Sequence, residues 1–87
     1  MYYFIAVFKN KSECYLFINL LASYKIKSTI INTPYELHMP CGTSVKINTK
    51  DLQTALQVAK RRKFNSFVGF YSVTQLNNKL RILPLNF

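Results

Sequence analysis

The chain has 87 residues, of which 49% are hydrophobic and 17% charged. That length and balance fit one modest core, and exclude both a disordered chain and an enzymatic cleft between large domains. Twelve Lys and Arg against three acidic residues give a net charge of +9, which favours a polyanion or an acidic protein as partner.

Residues 2–8 (YYFIAVF) are aromatic and β-branched with no polar break, the pattern of a central strand buried on both faces. Residues 9–11 read as a turn, with Ser12 as the N-cap of a helix over 13–24. Within that helix Cys14, Phe17, Ile18, Leu21 and Ala22 recur at three and four, and Leu16 and Leu20 widen the apolar face. A second strand is expected at 28–32 and a third at 43–47, separated by the irregular segment 33–42. Asn48 or Thr49 is expected to cap a second helix with Asp51 in its first turn and Leu52, Ala55, Leu56 and Ala59 on its buried face. Lys60, Arg61, Arg62 and Lys63 close that helix with four cations. A fourth strand follows at 67–73, Asn77-Asn78 reads as a turn, and 80–83 as an added strand.

The order is β-α-β-β-α-β plus a short addition. Right-handed crossovers then place both helices on one face of an antiparallel sheet, an α+β fold of ferredoxin-like plan. One domain is expected over residues 1–87, with its core at about 2–73 and an extension at 74–87. No stretch reaches the ~20 apolar residues of a membrane span. Residues 2–8 have no basic region before them and no small-residue cleavage site after them, so they are not read as a signal peptide. Two cysteines without an export signal point to free thiols in a reducing compartment, and the expected location is the cytoplasm.

The segment TPYELHMPCG stands out, because a hairpin connection needs only ~2–5 residues and this one takes the ten from 33 to 42. Long loops on rigid scaffolds often carry function. This one presents Cys41 between Pro40, which stiffens the chain, and Gly42, which leaves the sulfur open to a second thiol. Neighbouring cations, and His38 as a tuning group, would favour the thiolate. The plainer reading is that Cys41 is a small inert hydrophobe and His38 a surface residue. Cys14, on the apolar stripe, reads as core.

These residues carry a resemblance. A strand, a Ser-led helix and then INTPYELHMPCG resembles the selenium/sulfur carrier-like family, whose loop runs Pro-Thr-Pro, an aliphatic residue, a serine and Cys-Gly. Thr33, Pro34, Leu37, Cys41 and Gly42 match that pattern, and the likeness covers roughly residues 2 to 71. Asn32 stands where the first proline would be, Tyr35 where a basic residue is common, and His38 where serine is usual. The resemblance implies a carrier rather than an enzyme. Cys41 would hold sulfur or selenium as a persulfide or selenosulfide, with no cofactor, and exchange it with donor and acceptor proteins. Thr33, Pro34 and Pro40 would shape the loop, and the cations at 60–63 would dock acidic partners.

Two other readings are weighed. The fold plan and charge also suit a nucleic-acid-binding module with Tyr2, Tyr3, Phe4, Phe70 and Tyr71 as stacking rings. RNA-recognition domains carry their signature on the third strand, however, and 44–47 holds no aromatic residue. A metal site at His38-x-x-Cys41 has local ligand spacing, but a structural zinc needs four ligands and only Cys14 is left as a soft one. Neither an acid pair, a Ser/His/Asp set nor a glycine-rich phosphate loop is present. A homodimer through a sheet edge, for instance 80–83, is expected.

Overall fold

The computed structural model describes residues 2–38 and 42–85. In chain order these form β1 (Tyr2–Phe8), α1 (Lys11–Ser23), β2 (Thr29–Asn32), a 3-10 turn (Tyr35–Leu37), β3 (Thr43–Ile47), a second 3-10 turn (Thr49–Asp51), α2 (Leu52–Arg61), β4 (Phe67–Leu76) and β5 (Lys79–Pro84). The strands make one antiparallel sheet in the order β2-β3-β1-β4-β5. The first four strands and two helices have the ferredoxin-like arrangement read from the sequence, and residues 80–83 lie within β5 on the outer edge.

Strand β1 is central, and its alternation explains its composition. Phe4, Ala6 and Phe8 belong to the cluster under the helices, whereas Ile5 and Val7 belong to a second cluster on the other face. Both sets are dry, so no polar residue is tolerated in either register. On the helix side α1 contributes Cys14, Phe17 and Leu21, and α2 contributes Ala55, Val58 and Ala59. Phe8 is the hub there: its ring centroid lies 5.5 Å from Phe17, 5.4 Å from Phe64 and 5.3 Å from Phe67. Those separations are in the favourable range for edge-on and tilted aromatic pairs.

Several local details differ from the sequence reading. The cap of α1 is Asn10, whose Oδ1 accepts from the Ser12 N–H at 2.7 Å. Ser12 therefore sits inside the first turn, because the short Asn carbonyl already reaches the orphan donor two residues on. The second helix opens on the 3-10 turn, with no side-chain hydrogen bond at Asn48 or Asp51. Strand β4 runs on to Leu76, and Asn77 and Asn78 both have positive φ (49° and 65°). Two consecutive left-handed residues match the twist of a two-residue hairpin, which is why the chain uses asparagine twice there.

The face of the sheet opposite the helices is closed by the β2–β3 connection. Leu37 packs against the cluster of Ile5, Val7 and Val73, and the turn Tyr35–Leu37 approaches β5 at the far edge. From β3 to β5 is three strand spacings, roughly 14 Å. From β2, where the connection leaves the sheet, it is four spacings. The connection therefore has a structural part as well: Leu37 covers some of a sheet face that has no helix.

A single carboxylate ties the start of α1 to the turn before β4. Glu13 accepts from the backbone N–H groups of Asn65 and Ser66 and from the Ser66 hydroxyl. These bonds, the Ser66 hydroxyl first, hold its pKa below the ordinary 4.5. A depressed carboxylate stabilises the fold above its unfolded value and loses that contribution as pH falls through the folded value. Thermal unfolding from pH 7 down to pH 3 is expected to show a lower midpoint for Glu13→Gln than for wild type at pH 7. The gap should close as the solution is acidified below about 4.5. A gap that stays constant with pH would contradict this assignment.

Candidate functional site

The described part of the loop is built from its base upward. The Thr33 N–H donates to the Gly42 carbonyl at 3.3 Å, closing the two ends of the connection. The Thr33 hydroxyl shares a hydrogen bond of 2.9 Å with that of Ser44, which is fully buried on the sheet face beneath. A buried serine without a partner would be costly, so Thr33 both ties the loop and satisfies the buried Ser44 hydroxyl. Pro34 starts the 3-10 turn, and its carbonyl accepts from the Leu37 N–H at 3.0 Å. Leu37 points inward as the anchor, and Tyr35 points out, 85% exposed.

His38 ends the turn in the left-handed region, φ 54°, with its N–H on the Tyr35 carbonyl at 2.9 Å. Its exposed ring lies 5.9 Å from that of Tyr35. Cys41 and Pro40 lie outside the described residues. Gly42 and Thr43, which lead into β3, are described, and Thr43 lies beside the start of α1. The Cys14 Sγ–H donates to the carbonyl of Thr43 at 3.4 Å, so the first turn of α1 packs on the residue two beyond Cys41. Lys11, in the same turn, lines a hollow of about 400 Å³ with Ile30, Ile31, Asn32 and Thr43.

Lys11 was read from the sequence only as part of a turn. Its place beside Thr43 depends on α1 folding back over the sheet, and no local pattern records that. Lysine and the N-terminal end of a helix both favour an anion nearby. The four cations Lys60, Arg61, Arg62 and Lys63 are elsewhere, at the C-terminal end of α2 and just beyond it. They are exposed, and the Arg62 guanidinium lies over the Phe64 ring at 5.8 Å.

Of the rings offered for stacking on nucleic acid, Phe4 and Phe70 are buried under the helices. Tyr3 and Tyr71 are half-buried on the loop-covered face, where Lys46 Nζ sits 4.6 Å from the Tyr3 ring centroid, and Tyr2 is exposed. Among the described residues no group of three His, Cys, Asp or Glu is gathered where a metal could be held. No described helix is long and apolar enough to cross a membrane.

The comparison with protein families identifies the chain. The family described as "Putative Se/S carrier protein-like" matches residues 2–67, from the first strand to the start of β4, and the chain belongs to that family. No curated protein and no solved structure matches it.

Of the two cysteines, Cys14 is the one whose surroundings are described. Cys14 is fully buried, and desolvation, with a smaller contribution from the Glu13 charge, pushes its thiol up to about 11. A thiol so raised is not a nucleophile at neutral pH. With iodoacetamide at pH 8, Cys14 is expected to remain unmodified in the native protein and to react once denaturant is added, as peptide mapping would report. Labelling of native Cys14 at the rate of a free cysteine would refute its burial.

Proposed function

We propose that this protein carries sulfur or selenium on Cys41 and passes it between proteins. The observation that carries the reading is membership of the Se/S carrier-like family over residues 2–67, on a chain whose other cysteine is buried and protonated. In the loading step the Cys41 thiolate attacks the terminal sulfur of a donor persulfide. A new S–S bond forms on Cys41, the donor's S–S bond breaks, and the donor leaves as a thiolate. The unloading step is the same exchange with an acceptor thiolate as attacker. Sulfur moves without net oxidation, so neither an oxidant nor a cofactor enters. With selenium, a selenosulfide takes the place of the persulfide.

The parts of the loop then have distinct roles. Thr33 and Leu37 hold its base and middle on the sheet. Gly42 keeps the approach to the sulfur clear, Pro34 and Pro40 restrict the backbone, and His38 and Lys11 favour the thiolate. The exchange belongs in a reducing compartment such as the cytoplasm. Nucleic-acid binding on the sheet is the weaker reading. The face on which RNA-recognition domains stack bases is here occupied by Leu37 over Ile5, Val7 and Val73.

Intact-mass analysis tests the proposal. After incubation with a cysteine desulfurase and cysteine and removal of small thiols, the wild type should gain about 32 Da per transferred sulfur, reversed by dithiothreitol. Cys41→Ser should gain nothing, and Cys14→Ala should behave as wild type. Loading of Cys41→Ser, or no loading of wild type by either the desulfurase or a small-molecule persulfide, would sink the carrier reading.

A further inference from the structure

The four cations at the end of α2 adjoin a feature that sulfur transfer does not use. Between the outer surfaces of α1 and α2 runs an open groove of about 320 Å³, lined by Leu20, Tyr24, Val58, Arg61 and Arg62. A second hollow of about 100 Å³ continues along α2 past Thr54 and Gln57 and shares Tyr24, Val58 and Arg61. The two walls differ. The α1 wall is Leu20 and Tyr24, apolar apart from a phenol edge. The α2 wall ends in two adjacent guanidiniums, of which Arg62 is steadied over the Phe64 ring.

We infer that this groove docks a segment of an acidic partner protein, in which one apolar side chain is followed by carboxylates. The apolar side chain would sit on Leu20, Val58 and the Tyr24 ring, and the carboxylates would meet Arg61 and Arg62. Guanidinium matches carboxylate in shape as well as charge and loses little freedom on binding. A groove between two helices is also the natural seat for a third helix, whose ridge fits between them. Charge argues for an acidic occupant over a second copy of this chain, since two copies would each bring +9 to the contact. It argues for a peptide over nucleic acid as well. A nucleic-acid strand needs cations tracking its phosphates along the groove, and here both lie at one end of one wall.

The inference is independent of what Cys41 carries, and its test involves no sulfur. A synthetic helical peptide with one Leu-Leu pair flanked by glutamates serves as probe, followed by amide and methyl NMR shifts of the ¹⁵N,¹³C-labelled protein. Shifts are expected at Leu20, Tyr24, Val58 and Arg61. Arg61→Glu should weaken binding roughly five- to tenfold. Lys79→Glu, the same charge change on the exposed β5 hairpin, should weaken it less than about twofold. Changing the peptide's leucines to serine should remove the shifts at Leu20 and Val58. Equal weakening by Arg61→Glu and Lys79→Glu would reduce the effect to overall charge and overturn the inference. So would shifts confined to other surfaces, or displacement of the peptide from these residues by single-stranded oligonucleotide at lower concentration.

Discussion

Strand β1 has to stay dry on both faces, and the two helices cover only one of them. The rest of the architecture follows from how the other face is closed. Ile5 and Val7, with Val73 beside them on β4, would expose a continuous aliphatic stripe if the β2–β3 connection were an ordinary hairpin. The chain instead sends that connection across the sheet, seats Leu37 on the stripe, and pins the loop's base through Thr33 to Gly42 and Ser44. Full burial of a leucine contributes on the order of 1.5–3 kcal/mol, and Leu37, half-buried, contributes a part of that.

This arrangement joins stability to chemistry. Thr33, Pro34 and Leu37 give the loop its hold, and they lie within the stretch that the family matches. On the proposed reading Cys41 has to be reachable, and a long exposed loop is poorly held without such anchors. Leu37 fastens the middle of the loop to the sheet, and the Thr33–Gly42 hydrogen bond closes its base. The start of β3 lies near the first turn of α1, where Lys11 faces the hollow beside Thr43. Cys14 packs in that turn, and burial keeps it protonated.

How much of this was legible in the sequence follows from the range of each signal. The unbroken apolar run at 2–8 announced a strand buried on both faces, and the three-four spacing through Cys14, Phe17 and Leu21 announced the helix that covers one of them. Asn77-Asn78 announced its turn because two left-handed residues in a row have a local chemical signature. What covers the second face is a long-range fact. The ten residues of the loop read as a sign of function, and the seating of Leu37 on the far face emerged only from the packing of the sheet. Lys11 and the groove formed by Tyr24, Val58 and Arg61 were hidden for the same cause: each needs two elements distant in sequence to be packed together. The α1 cap was misplaced by two residues, since Asn10 and Ser12 are both good caps and only the geometry chooses between them.

The central claim is that one loop both closes the sheet and carries the cysteine. Methyl NOE spectroscopy on the leucine-, isoleucine- and valine-labelled protein tests it most directly. The account predicts cross-peaks from the Leu37 methyls to the methyls of at least one of Ile5, Val7 and Val73, with ring-shifted or otherwise dispersed Leu37 resonances. Leu37 methyls at random-coil positions, with no contact to that cluster, would mean that the loop does not lie on the sheet, and the structural basis offered for the site would fall with it.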